Sequence, residues 1–210
     1  GKTAILKLLM REFEGYRGTI MYGDHSIVAY KKRALREAIG YVPQDHFLFS
    51  TTVAGNIAFA NADATMDEIY EAARLANIHE DILQFTDGYN TIVGERGVSL
   101  SGGQKQRISI ARALMMKPEL LILDDSLSAV DARTEEAILE SLKKSRTDET
   151  TIITSHRLSA IAHAHQIIVM NEGTIIEKGT HEELMELKGM YYEMYQLQQL
   201  ENLVEKGRDV

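Results

Sequence analysis

Gly1-Lys2-Thr3, at the start of a helical pattern, matches the last three positions of G-x-x-x-x-G-K-[ST]. In that pattern backbone N–H groups and the helix dipole cradle phosphates, the Lys ammonium reaches the outer phosphates and the Thr hydroxyl holds Mg²⁺. Three residues alone equally describe an ordinary helix start. Leu120-Leu121-Ile122-Leu123-Asp124-Asp125 reads as a buried strand ending in two acids. A carboxylate at the carboxyl end of a parallel strand is placed to hold a metal-bound water beside a phosphate loop; the plainer alternative is an N-cap for the next helix. Leu100-Ser101-Gly102-Gly103-Gln104 puts a serine and two residues without Cβ at another helix N-terminus, where a hydroxyl and unpaired N–H groups face an anion. There the alternative is a Ser-capped helix after a Gly-rich turn.

Elements able to position these groups are legible in the hydrophobic periods. Ile5, Leu8, Leu9 and Phe13 recur at helical spacing, so residues 2–13 are expected as a helix stopped by Gly15. Residues 18–28 read as two short strands about a Gly-Asp turn, and 38–42 as a buried strand closed by Pro43. The stretch 53–85 is helical in period, with Ile57, Ile69, Ala73, Ala76 and Leu83 inward. Residues 88–100 are irregular, and 104–116 form a helix carrying Ile108, Ile110, Ala111 and Leu114. Strand-like runs at 120–123, 151–154 and 166–170 are separated by helical stretches at 132–144 and 158–163, an alternation that implies a parallel sheet. Asn171-Glu172-Gly173 reads as a hairpin turn, Gly179 ends the strand after it, and two helices close the chain.

The chain has 210 residues, 23 Lys+Arg against 31 Asp+Glu, a net charge of -8, 44% hydrophobic residues and no Cys. These values describe one soluble globular domain and disfavour collagen, wholesale disorder and a disulfide scaffold. Without Cys there is no Cys nucleophile and no zinc finger. The acidic balance argues against non-specific wrapping of DNA or anionic lipid. Lys31-Lys32-Arg33, the one dense basic run, reads as a solvated face beside Glu37. No apolar run approaches the roughly 18 residues that span a bilayer, and the opening without Met reads as a cut rather than a signal peptide. His163 and His165, two apart on a helix, point in different directions and make no metal pair. Met190, Tyr191, Met194, Tyr195, Leu197 and Leu200 form an apolar stripe for packing within the domain or against a partner helix.

In this order along the chain, the motifs resemble those of the ATP-binding-cassette ATPases. Gly1-Lys2-Thr3 resembles the end of Walker A, and Gln44 in Tyr41-Val42-Pro43-Gln44-Asp45 resembles the Q-loop. Leu100–Gln104 looks like the signature sequence, Leu120–Asp124 resembles Walker B, Ser128-Ala129-Val130-Asp131 the D-loop, and His156 the switch histidine. Val93-Gly94-Glu95-Arg96-Gly97 resembles the x-loop of the exporter branch, and Phe47-Leu48-Phe49-Ser50 with Asn56-Ile57 points the same way. The resemblance covers essentially the whole chain, 1–210. It implies an α/β fold: a P-loop NTPase (RecA-like) parallel-sheet core with an inserted α-helical subdomain at about 47–116 and a partial antiparallel β region. The initial strands, the adenine-stacking aromatic and the first half of the phosphate loop would lie upstream of Gly1.

The same resemblance assigns roles. ATP and Mg²⁺ are the implied ligands. Gly1, Lys2 and Thr3 would cradle the phosphates, and Thr3, Gln44 and Asp124 would hold Mg²⁺. Gln44 would also steer the attacking water, His156 would meet the γ-phosphate, and Asp125 would stand as general base. Ser101, Gly102, Gly103, Gln104 and Asp131 would serve nucleotide across a head-to-tail dimer. At position 125 the family usually carries Glu. An Asp is one methylene shorter, which endangers the roughly 10²–10⁴-fold that a general base supplies. A weakened own site beside an intact signature resembles one half of a heterodimeric exporter, whose partners are a second nucleotide-binding domain and transmembrane domains at the cytoplasmic face of the cell membrane, with no nucleic acid. A homodimer with two slow sites and a nucleotide-gated subunit without turnover of its own remain open on the sequence. A soluble cassette ATPase acting on DNA or ribosomes would want large basic patches, a second cassette or a coiled-coil insertion.

Overall fold

A computed structural model of the chain describes residues 1–94 and 98–206 and places them in two units, Ile5–Thr154 and Gly1–Ala4 with Ser155–Val210. α1 (Lys2–Leu9) stops short of Phe13 because Arg11 turns into the left-handed region (φ 52) and donates to the carbonyls of Tyr30 and Ile27, at 2.8 and 3.3 Å. β1 (Met21–Tyr22) and β2 (His25–Ser26) pair antiparallel around Gly23-Asp24. After α2 (Lys32–Glu37) comes β3 (Ile39–Val42). The helical stretch expected over 53–85 is three helices, α3 (Val53–Ile57), α4 (Met66–Leu75) and α5 (His79–Leu83). It breaks where Thr65 opens a capping box with Glu68 and where Asn77 takes φ 53. Leu83 faces outward, 56% exposed, and Ile82 is buried instead.

α6 (Gly102–Met115) also begins with a capping box, Ser101 with Gln104, and buries Ile108, Ile110, Ala111 and Leu114 as expected. β4 (Leu120–Asp124), α7 (Ala132–Ser145) and β5 (Thr150–Thr154) complete this unit. The sheet is parallel in the order β3-β4-β5. All five residues of β4 are buried, as a strand covered on both faces requires. Its alternation is visible in the core: Leu121 and Leu123 join the cluster built from α3, α4, α6 and α7, while Leu120 and Ile122 join Leu6, Met10, Ile27 and Leu35.

Asn56 ties the segment after β3 to α6. Fully buried, it accepts from Phe49 N at 2.9 Å and Arg112 Nη2 at 2.7 Å, and donates to the carbonyls of Phe49 and Thr52, each at 3.0 Å. Arg112 also donates to Asn56 O at 2.8 Å and Phe47 O at 3.1 Å. Removing the amide strands several buried groups at once. Asn56→Ala is therefore expected to cost about 3 kcal/mol in urea unfolding, against no more than about 0.5 for Asn90→Ala at an exposed position.

In the other unit the region expected as a helix at 158–163 holds one 3₁₀ turn, Leu158–Ala160. β6 (Ile167–Asn171) is not the further parallel strand that the alternation implies; it pairs antiparallel with β7 (Thr174–Gly179) in a two-stranded sheet, as the hairpin turn read at 171–173 requires. The two-residue link Glu172-Gly173 has φ 47 and 81, the doubly positive pair a tight hairpin needs, so a partner is available locally without a crossover. α8 (His181–Leu187) opens with the capping box Thr180/Glu183. α9 (Met190–Lys206) is capped from β7: Met190 N and Tyr191 N both donate to the Glu177 carboxylate. The apolar stripe divides. Tyr191 is buried, with Met194 and Tyr195 partly so, whereas Leu197 and Leu200 are 60% and 58% exposed. Among the described residues no helix is long and apolar enough to cross a membrane.

Candidate active site

Asp124 ends β4 only 4% exposed and is held from both neighbouring strands. Tyr41 on β3 donates to its Oδ2 at 3.2 Å, and Thr154 on β5 donates to its Oδ1 at 2.7 Å. Burial, reinforced by the Asp124 charge and hydrogen bond, pushes the Tyr41 phenol up to about 12, so it remains a donor at neutral pH. Fixed in this way, the carboxylate presents hard oxygen lone pairs of the kind Mg²⁺ takes, and the side-chain amide oxygen of Gln44 is of the same class. The capping alternative for the two acids is removed: α7 is capped by Asp131, whose Oδ1 accepts from Thr134 N at 3.0 Å.

Asp125 follows in the left-handed region, φ 49, a conformation Asp tolerates better than most side chains because its short polar group bonds locally. Its N–H is shared between Thr154 O at 3.0 Å and Thr154 Oγ1 at 3.1 Å. Gln44 Nε2 donates to Asp125 Oδ2 over a long 3.4 Å. Gln44, Asp124 and Asp125 are thus brought together at the carboxyl end of the sheet. Ser128 Oγ closes the turn on Asp125 O at 3.0 Å.

The Ser101–Gln104 turn is preformed. Ser101 Oγ accepts from Gln104 N at 3.2 Å and Gln104 Oε1 accepts from Ser101 N at 3.1 Å. This is the Ser-capped helix of the plainer reading, and it is compatible with the other: the Ser101 O–H and the N–H groups of the first turn keep their donor capacity. Gly103 is required by close approach, since a Cβ there would lie 2.9 Å from Ala129 O. From the next turn, fully buried Gln106 accepts from Ala129 N at 3.0 Å. Arg107 grips Asp81 of α5 through two bonds, 2.8 and 3.0 Å. Burial alone would raise the Asp81 carboxyl, but the bonds and charge of Arg107, with Gln104, hold it below the usual carboxylate range.

In the unit of Gly1–Ala4 and Ser155–Val210, Lys2 Nζ and His156 Nε2 converge to 3.5 Å although 154 positions apart in sequence. Thr3 lies in the first turn of α1. Of the residues that resemble an x-loop, Glu95, Arg96 and Gly97 lie outside the described residues. Sequence reasoning missed Tyr41 as a donor, Thr154, Gln106 and Gln198; only strand register or tertiary contact brings them to the site residues. Arg107 and Arg112 carried a faint signal, being cations on an otherwise buried helix.

Residues 1–128 match the ABC transporter family. The chain is 51% identical over 207 residues, 99% of its length, to the probable multidrug resistance ABC transporter ATP-binding/permease protein YheI of Bacillus subtilis, covering 35% of that protein. It is 50% identical over 201 residues, 96% of its length, to the multidrug resistance-like ATP-binding protein MdlA of Escherichia coli, covering 34% of it. Among solved structures, a bacterial Atm1-family ABC exporter with ATP bound superposes with a TM-score of 0.90 at 41% identity, over 94% of this chain and 35% of that one. The chain therefore spans about a third of the length of the relatives it matches, and its fold is that of the ABC ATPase, a P-loop α/β domain.

Proposed function

The chain belongs to the ABC transporter family, and on that premise we propose that it is the nucleotide-binding domain of an exporter, slow at its own site and essential to a partner's. Gly1, Lys2 and Thr3 bind the phosphates of ATP, His156 meets the γ-phosphate, and Gln44 and Asp124 orient the metal's shell and the attacking water. Thr3, Gln44 and Asp124 would hold Mg²⁺, which would supply neutralisation of the charge building on the phosphate oxygens. Asp125 stands where the base must act. Ser101–Gln104 and Asp131 complete the partner's site across a head-to-tail dimer at the cytoplasmic face of the membrane. Phosphoryl transfer depends mainly on positioning and charge neutralisation, which this set supplies.

Coupling to transmembrane domains runs through the segment between Gln44 and Asn56. Exposed Phe47 and Phe59 flank Phe49, edge-on at 5.1 Å and stacked at 4.0 Å, and the Arg112 guanidinium lies 5.3 Å from the Phe49 ring. An apolar patch anchored to α6 by Arg112 and Asn56 links the signature helix to whatever the patch touches.

The asymmetric reading is carried by one observation, the contrast between a preformed signature turn and the short carboxylate of Asp125. Photolabelling of the assembled full-length transporter with 8-azido-ATP during turnover is its test, because the label reports the nucleotide of the chain that holds the base. This chain is expected to retain triphosphate while the partner accumulates diphosphate. Diphosphate formed equally on both chains, or no label on this one, overturns the proposal. Triphosphate with no conversion at all on this chain selects the regulatory-subunit reading, which rests on the same Asp125.

A further inference from the structure

One side chain of α9 bridges two main-chain groups of the loop that bears His156. Gln198 of α9 donates through Nε2 to His156 O and accepts through Oε1 from Leu158 N at 2.8 Å. Donor and acceptor of one amide therefore satisfy the two main-chain groups that bracket Arg157, much as a neighbouring strand would. Arg157 N is tied within the loop, to Ser155 Oγ at 2.9 Å.

The clamp is aimed from a fixed base. Glu177 caps the first turn of α9 through Met190 N and Tyr191 N, and buried Tyr191 meets His181 Nδ1 through its hydroxyl at 2.8 Å. Gln198 follows Tyr191 by two helical turns and so shares its face. Anchored through its first turn, α9 fixes where Gln198 stands and hence where the His156 main chain stands. The imidazole then meets Lys2 Nζ at 3.5 Å.

We propose that Gln198 is a positioning residue for His156, which makes recognition of the γ-phosphate at this chain's own site depend on the C-terminal helix. The inference rests on the proposed role of His156. It requires that loss of the clamp weaken contacts to the γ-phosphate alone, leaving those to the rest of the nucleotide.

The experiment measures the affinities of MgATP and MgADP at this chain by competition against 8-azido-ATP labelling, in the full-length assembled transporter. Four proteins are compared: wild type, His156→Ala, Gln198→Leu and the double variant. His156→Ala is expected to lower the preference for ATP over ADP by about tenfold, the loss that one hydrogen bond to a charged group carries. Gln198→Leu is expected to lower it severalfold with MgADP affinity unchanged, and to add nothing when His156 is already Ala. Gln198→Glu keeps the acceptor for Leu158 N but turns a second oxygen toward His156 O, so it too is expected to lose ATP preference; it serves as the reporter should Gln198→Leu fail to fold. If His156→Ala lowers the preference and neither Gln198 variant does, the inference falls while the role of His156 stands. Equal losses of ATP and ADP affinity, or additive losses in the double variant, show a purely structural side chain and overturn it. If His156→Ala changes nothing, the reading of His156 falls and takes the clamp's function with it.

Discussion

Asp125→Glu is expected to raise ATP hydrolysis at this chain's own site by about 10²-fold, within the range a general base supplies. The measurement is single-turnover conversion of labelled ATP held by this chain in the assembled full-length transporter. Reach is what limits the shorter side chain. Asp125 N is anchored twice to Thr154, at 3.0 and 3.1 Å, so the backbone cannot advance to compensate for a short side chain. Gln44, which would share the attacking water, meets the carboxylate only at 3.4 Å, while base catalysis asks for about 2.6–3.2 Å to the proton donor, directly or through one water. A further methylene moves the carboxylate outward by about a bond length without disturbing either anchor. The left-handed backbone at φ 49 favours Asp over Glu, so the variant should melt slightly lower while turning over faster. Opposite signs in stability and rate are expected when a local conformational preference is given up for catalytic reach. An unchanged own-site rate in Asp125→Glu would show that the base is not what limits this site.

What the sequence made legible followed the scale of each interaction. β4 was readable because five apolar or terminal-acid positions in a row admit few other structures, and the Ser cap at Ser101 is a pattern only four residues long; the like box at Thr65 lies inside a longer helical period that hides the break it makes. For β6 two sequence signals disagree: alternation of strands and helices implies a parallel neighbour but does not say which strand it is, whereas the hairpin turn read at 171–173 gives the antiparallel partner that the structure has. Leu83 and Ile82 are adjacent, and a helix of five residues is too short for its period to distinguish them. In the site, the acids and glycines announced themselves by type and spacing. Tyr41, Thr154, Gln106 and Gln198 did not, because each is an unremarkable residue locally and acts through a partner distant in sequence, 83 positions for Tyr41 with Asp124 and 42 for Gln198 with His156. Such residues belong to the tertiary level, where register and helix docking decide who meets whom.

Gly103→Asp is the second large effect, and it should fall on the other chain. In the assembled transporter it is expected to lower hydrolysis at the partner's site by about 10²–10³-fold, the cost of losing a preorganised donor set for a developing anion. This chain should keep its own MgATP. Two causes add. A carboxylate at the start of α6 places negative charge where the helix dipole and unpaired N–H groups would receive phosphate. A Cβ at position 103 would also stand 2.9 Å from Ala129 O, so the turn must shift against the 128–131 segment, which Gln106 holds through Ala129 N at 3.0 Å. Gly103→Ala isolates the second cause, and because backbone rather than a flexible side chain is struck, it should already lose a substantial part of the partner-site rate. At Gly102 the nearest atom to an added Cβ is Ala129 Cβ at 3.5 Å, ordinary contact, so Gly102→Ala folds without that shift and reports the approach of nucleotide alone. Site-resolved photolabelling distinguishes the chains. A harmless Gly103→Asp, or a loss confined to this chain's own nucleotide, would mean that the Ser101–Gln104 turn does not complete a neighbour's site, and the asymmetric division of labour would have no physical basis.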